Sequence, residues 1–461
     1  MKKKSLFRIS LIIPVFICFA MTSVFVSCTN PGPTQNNVGV KHPEWLRDAT
    51  LYEVNIRQYT PEGTFAAFAG HLESIKEMGV DIIWLMPINP IGEKNRKGSL
   101  GSYYSVKDYY AVNPEFGNMV DFKAMVAKAH SLGIKVIIDW VPNHSSWDNA
   151  LTVEHPEYYV KDSAGNFKSP FDWTDIVQFD YNQTGLRQYM IDALKFWLKE
   201  TDIDGFRFDV AHMIPVSFWN TVRPALHEVK EVFMLAESDQ PALNKDAFDA
   251  TYDWKLHHIM NQIAQGKMDV TNIDMHFAYV DSAYPPNSIL MEFTSNHDEN
   301  SWNGTEYERL GDAVKTFAVF SYMIPGMPLI YNGQEVCMTR RLRFFERDTI
   351  PWVECDMREF YTNLNTLKAN HEALFAGSTG GKLKRVAGND DIKVFAFTRE
   401  VEKSKIFVIL NFSAEARNYF FTDEINNGVY TDAFTGEMLS LSNEDAITLN
   451  PWDYKVFLSE E

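Results

Sequence analysis

Eight short apolar runs, each separated from the next by helical spacing, constrain this chain more than any other feature. They cover residues 51–58, 80–86, 134–139, 205–210, 232–237, 250–254, 289–295 and 327–331. Several are apolar almost without interruption, as strands covered on both faces should be. Between them, Leu186, Tyr189, Met190, Ala193, Leu194 and Trp197 follow the i, i+3, i+4, i+7 spacing of an amphipathic helix. Gly79 and Gly133 stand where a helix stops ahead of a strand. Eight strands alternating with helices over residues 45–376 predict an α/β chain folded as a (β/α)8 TIM barrel, with an open doubly wound sheet as the rival arrangement. The stretch 142–184 has no helical period and reads as a short insertion after the third strand. Residues 356–374 read as a final helix. After Gly377-Ser378-Thr379-Gly380-Gly381 the runs 392–398, 405–412, 418–422 and 452–458 predict a C-terminal all-β sandwich over 377–461.

The first residues are not part of that pattern. Lys2, Lys3, Lys4 and Arg8 precede an apolar run over 9–26, the order of an export signal, with a retained anchor helix as the alternative. The run ends Val24-Phe25-Val26-Ser27-Cys28, which resembles a bacterial lipobox, with Phe25 where Leu is usual. The resemblance implies a signal peptide at 1–27 and lipidation of Cys28. Residues 28–44, rich in Pro, Gly, Asn and Thr, suit a flexible tether. The implied protein is exported and lipid-anchored to a bacterial membrane, facing the periplasm or the surface. Thr29 in place of an Asp after the Cys favours the outer membrane. Loss of the leader's four cations takes the net charge from -18 to -22. A chain this acidic is repelled by phosphate backbones, which argues against nucleic-acid partners. Of the four cysteines, Cys18 leaves with the leader and Cys28 carries lipid. Cys337 and Cys355 are equally compatible with a disulfide and with two separate thiols.

Barrels place their chemistry at the C-terminal ends of the strands. The third run ends Asp139-Trp140-Val141-Pro142-Asn143-His144 and the fourth reads Gly205-Phe206-Arg207-Phe208-Asp209. The fifth ends at Glu237, and the seventh leads into Asn296-His297-Asp298. Alternation along the fourth strand puts Arg207 and Asp209 on one face and the two phenylalanines on the other. Charge pointing into a barrel lumen is costly unless paired or used. An adjacent Arg lowers an Asp's pKa and suits it to act as a nucleophile; the plainer reading is an ion pair that braces the barrel. Asp209, Glu237 and Asp298, converging on one mouth, are the equipment that glycoside cleavage requires. His144 and His297 are expected as uncharged or weakly charged donors to sugar hydroxyls.

These four segments, in this order, resemble the signature regions of the α-amylase family of glycoside hydrolases, family 13. Met86-Pro87-Ile88, Gly101-Ser102-Tyr103-Tyr104-Ser105, Asn113-Pro114-Glu115-Phe116-Gly117 and Gly326-Met327-Pro328-Leu329-Ile330-Tyr331 agree with it, and the likeness covers about residues 45–461. It implies Asp209 as nucleophile, Glu237 as general acid/base and Asp298 as the stabiliser of the transition state. It further implies that Arg207 orients Asp209, that Asp139 braces Arg207, that His144 and His297 hold the sugar and that Tyr104 stacks beneath it.

The implied activity is a retaining hydrolase of α-1,4-glucosidic bonds in starch-derived glucans or maltooligosaccharides. Cyclomaltodextrinase, neopullulanase, α-glucosidase and transglycosylase activities of the same family are the alternatives. A non-catalytic glucan-binding lipoprotein would be expected to have lost one of the three carboxylates, and none is lost. This sequence departs from the family where His212-Met213 replace a Lys-His pair, at Ser238-Asp239 after the acid, and at Ser102-Tyr103. Bond and chain-length preference are therefore not carried over. No cofactor is required. The resemblance allows calcium between barrel and insertion, with Asn143 at a position that often contributes, but it does not assign a ligand set.

Overall fold

The computed structural model describes residues 39–423, 428–442 and 446–459. The expected leader at 1–27, Cys28 and residues 29–38 of the tether lie outside the described residues.

Eight parallel strands close into a barrel: β1 Leu51–Val54, β2 Ile82–Leu85, β3 Lys135–Trp140, β4 Gly205–Phe208, β5 Phe233–Ala236, β6 Ala250–Tyr252, β7 Ile289–Phe293 and β8 Met327–Tyr331. Each pairs with its neighbour in sequence. The pairing of Leu51 with Leu329 and of Tyr52 with Ile330 joins β8 to β1, which excludes the open sheet. Alternation along the strands separates two apolar layers. Leu51, Ile82, Trp84, Ile137, Leu235, Met291 and Leu329 fill the lumen. Tyr52, Ile83, Ile138, Phe206, Met234 and Ile330 pack under the surrounding helices. The first run breaks earlier than its apolar texture suggests. β1 stops at Val54, and Ile56–Tyr59 is one turn of helix. The Asn55 amide donates to the Asn332 side chain at 2.8 Å instead of extending the ladder.

The insertion after β3 is built on a two-stranded antiparallel sheet, His144–Ser146 with Ile176–Gln178. Residues 39–44, assigned from sequence to the tether, are seated on the body. The His42 ring contacts Asp249 Oδ1 at 2.9 Å and the Asn287 carbonyl at 2.6 Å, and Val40 is buried. Their composition is that of a tether, but the Asp249 carboxylate supplies a partner that the sequence does not reveal.

The C-terminal part is a six-stranded antiparallel sheet facing a two-stranded one, Arg417–Tyr419 with Ile447–Leu449. Along its strand Val394–Val401, Val394 and Ala396 face the small sheet's core, while Phe395 and Phe397 turn to the barrel's helices. Trp452 sits at this junction, 6.4 Å from Phe317.

Arg399, on the same strand, crosses the junction fully buried. Its guanidinium donates to the carbonyls of Met323 at 3.2 Å and Ile324 at 2.9 Å, to Phe375 at 2.8 Å and to Gly381 at 2.8 Å. Two of these acceptors end the helix Val314–Met323, where carbonyls lack intrahelical partners and the helix dipole favours a cation. Burial lowers the Arg399 pKa to about 9. Truncation would strand several buried acceptors at once. Arg399→Met is therefore expected to lower unfolding free energy by about 3 kcal/mol. The check is an earlier urea midpoint.

Candidate active site

The site grows from β4. Phe206 and Phe208 turn outward, Phe208 lying 4.9 Å from Trp219, and Arg207 turns inward as alternation requires. Gly205 opens the strand because a Cβ there would meet the Phe233 carbonyl at 2.1 Å, so only glycine lets β4 and β5 approach. Arg207 has no exposed surface. Its Nη1 donates to Asp139 Oδ1 at 2.8 Å and to Asp209 Oδ1 at 3.2 Å. Its Nη2 lies 2.9 Å from Glu237 Oε2, and its Nε donates to the Tyr252 hydroxyl at 3.1 Å. Trp84, Tyr252 and Tyr104 surround the guanidinium with their rings at 5.1, 5.6 and 5.9 Å. One cation thus gathers the ends of β3, β4 and β5. The β3–β4 register makes this possible by placing Asp139 beside Arg207.

Val210, the residue after Asp209, has φ +36, a conformation a β-branched side chain adopts only under constraint. Its amide donates to Glu237 Oε2 at 2.7 Å. The bend therefore turns a backbone donor onto the second carboxylate. Arg207 beside Asp209 is expected to hold the Asp209 pKa down. The structure reverses the outcome: burial, with the charges of Glu237, Asp139 and Asp298, outweighs Arg207 and pushes Asp209 well above the usual carboxylate range. Burial likewise raises Asp139, to about 6, against the pull of Arg207 and His297. One guanidinium does not neutralise so many buried carboxylates, and this crowding favours a proton held among them.

Asp298 and His297 follow β7. His297 is buried, and burial alone would keep it neutral. The charges of Asp298 and Glu53 overcome this and lift its pKa to about 9. Its Nδ1 bonds Glu53 Oε1 at 2.5 Å and its Nε2 lies 3.4 Å from Asp298 Oδ2. It is a cation at neutral pH, not the weakly charged donor expected. His144 goes the other way. Burial lowers its pKa to about 3, so it is neutral. The Tyr104 hydroxyl joins the two halves, donating to Asp139 Oδ2 at 3.0 Å and meeting His297 Nε2 at 2.8 Å.

Asp209, Glu237, Asp298, Tyr104, His144 and His297 all line one cleft of about 510 Å³. Arg207 lies beneath it. Sequence reading missed its aromatic rim and Glu53. Trp173 comes from the insertion, with its ring 5.7 Å from His144. Trp302 and Phe344 come from the loops after β7 and β8 and lie 5.2 Å apart. Phe344 lies nearly parallel to Tyr104, at 10° and 6.2 Å. No periodicity marks loop aromatics, but Glu53 had a legible signal as a lone carboxylate inside the apolar run Leu51-Tyr52-Glu53-Val54.

The Asn143 side-chain amide bonds His144 Nδ1 at 3.2 Å, and its backbone carbonyl accepts from Phe179. Among the described residues, the group of acidic, His and Cys side chains close enough to share an ion is Cys337, Cys355 and Asp356, remote in sequence from Asn143. Cys337 and Cys355 are joined as a disulfide.

A family model described as "Alpha amylase, catalytic domain" matches residues 35–376. An alpha-amylase crystal structure from Lactobacillus plantarum superposes with a TM-score of 0.81 at 30% identity, covering 90% of this chain and 100% of that one. A noncanonic maltogenic alpha-amylase from Thermotoga neapolitana gives a TM-score of 0.83 at 29% identity over the same shares. An alpha-amylase of Haloarcula japonica is 25% identical over 91% of this chain, which spans 63% of that relative's length.

The His297 arrangement is testable without a substrate. Glu53→Gln removes a charge that favours the imidazolium, so the titration midpoint should fall from about 9 toward the ordinary 6.5. NMR of the imidazole resonances reads the midpoint. The contacts that hold the cation are present below pH 6.5 and are lost as pH rises through about 9.

Proposed function

This chain belongs to the alpha-amylase family, and from that membership and the geometry of its cleft we propose that it is a retaining hydrolase of α-1,4-glucosidic bonds in starch-derived glucans and maltooligosaccharides. One observation carries the reading: Asp209 and Glu237 are bound to the two terminal nitrogens of one guanidinium, at the floor of an aromatic-walled cleft. Sharing one small cation favours the separation of about 5 Å used by retaining enzymes over the roughly 6.5–9.5 Å of inverting ones, which must fit a water between the carboxyls.

In the proposed reaction the proton retained among the buried carboxyls is carried by Glu237, and Asp209, as the carboxylate, attacks the anomeric carbon. Glu237 gives its proton to the glycosidic oxygen, which leaves as an alcohol. Asp209 is then esterified to the sugar. Water loses a proton to Glu237 and attacks the same carbon, which frees Asp209 and restores the acid. Two displacements retain the anomeric configuration. Arg207 is unable to lose its charge and fixes both carboxylates. Asp298 and the cationic His297 bind ring hydroxyls at the same carbon's side, neutral His144 accepts or donates one more, and Tyr104 supports the ring. No step passes through a metal. Hydrolysis of cyclomaltodextrins or pullulan uses the same carboxylates and differs in the rim.

The test is incubation with soluble starch, maltoheptaose, β-cyclodextrin, pullulan and isomaltose, with products separated and their anomers followed by NMR. α-Anomeric products from the first two are expected, and no reducing-sugar release from any substrate refutes the reading. Asp209→Asn is expected to cost about ten-thousandfold in kcat. Its folding should be intact, because an amide relieves the carboxylate crowding around Arg207. Full activity would remove Asp209 from the nucleophile role.

We also propose that the chain is exported and lipid-anchored through Cys28, on the strength of Lys2–Lys4, the apolar run and Ser27-Cys28. Cys28→Ala should move the protein from the membrane pellet to the soluble fraction. Mass spectrometry of the wild type should find diacylglycerol on an N-terminal Cys28, and an unmodified Cys28 still joined to the leader overturns this.

A further inference from the structure

Segment 97–101, between β2 and Tyr104, contacts both the insertion after β3 and the loop after β8. On one side Lys97 Nζ lies 3.2 Å from Asp175 Oδ1 and donates to the Asp172 carbonyl at 3.4 Å, both in the insertion after β3. On the other side, the Leu100 amide donates to the Phe345 carbonyl at 3.0 Å and the Ser99 amide to Glu346 Oε1 at 2.9 Å, both in the loop after β8. At Gly98 a Cβ would stand 2.4 Å from that of Phe345, and its φ of +65 suits glycine, so the two loops meet in direct contact. From below, the fully buried Arg57 donates to the carbonyls of Gly101 at 3.3 Å and Leu100 at 3.4 Å. Trp302 continues the line, 5.8 Å from Phe345. Lys97, Asp172, Asp175, Phe345 and Trp302 all line the catalytic cleft. A half-exposed ion pair alone is a weak tie. Here it adds to backbone bonds, a close glycine contact and a buried guanidinium.

The strand order fixes which end this wall occupies. It is made by loops of β2, β3, β7 and β8, whereas Glu237, which would protonate the leaving group, comes from β5. We infer that the wall closes the glycone end of the cleft and makes the enzyme a trimmer of glucan chain ends, releasing short products of narrow length. The inference rests on the hydrolase reading above. A chain threads from its non-reducing end until the wall stops it, and the bond then lying at Asp209 and Glu237 is cut. Gly98 and the Lys97–Asp175 and Ser99–Glu346 contacts are the specificity-determining features.

The experiment compares p-nitrophenyl maltoheptaoside with a free non-reducing end and the same substrate capped by a 4,6-O-ethylidene group, using the wild-type protein. The free form should be cleaved at least about tenfold faster, since a blind pocket rejects added bulk. Loss of iodine staining of starch should lag behind reducing-end release. Gly98→Ala combined with Glu346→Ala should narrow the ratio. Glu346→Ala alone changes a half-buried surface side chain and should move it the same way if the double variant fails to fold. Equal cleavage of capped and free substrate by the wild type overturns the inference and leaves the hydrolase reading standing. Cleavage of neither overturns both.

Discussion

The active end of this barrel is organised by a single buried cation. Arg207 has no water to solvate it, so its charge must be answered by neighbouring side chains. The answer comes from Asp139, Asp209 and Glu237, one from each of three adjacent strands, and from three aromatic faces. That requirement couples register to chemistry. If β3 slipped by one residue, Asp139 would face the helices and the guanidinium would lose its shortest contact. The same cluster carries more negative charge than Arg207 cancels, which is why Asp209 holds its proton more tightly than an exposed carboxylate.

Strands and loops divide the work. The strands supply the carboxylates and Arg207, where side-chain direction is set by the pleat and held by packing on both faces. The loops supply the rim: Trp173 from the insertion, Trp302 and Phe344 after β7 and β8. Loop chemistry varies at little cost to a barrel, so members of one family can share a catalytic floor and differ in what they accept. In this chain the cleft's aromatic lining includes Trp302, Phe344 and Phe345 beside Lys97 of segment 97–101. The disulfide between Cys337 and Cys355 ties the two ends of the stretch that carries Phe344 and Phe345. The C-terminal sheet contributes at a distance. Its phenylalanines and Arg399 cover the end of the helix that leads into β8, and so support the strand from which that loop departs.

The linear sequence carried the barrel, the order of its strands and the three carboxylates that line one cleft. Apolar runs are local, alternation is local, and an Arg-x-Asp on an apolar strand declares two buried charges whatever surrounds it. Protonation was not legible. Arg207 beside Asp209 suggested a lowered pKa, and two histidines of one kind suggested two similar donors. Yet burial and distant residues set the result. Asp298 beside it and Glu53, 244 positions earlier, together make the His297 ring a cation, while burial keeps His144 neutral. The seated residues 39–44 and the wall over the cleft share this character, since each depends on partners brought together from separate parts of the chain: His42 with Asp249, Lys97 with Asp175, Ser99 with Glu346. A sequence determines which groups exist and which face of a strand they take, because those follow from the covalent chain and its periodicity. Only the closed barrel decides what lies within 4 Å of them, and electrostatic energy depends on that distance and on the water excluded from it.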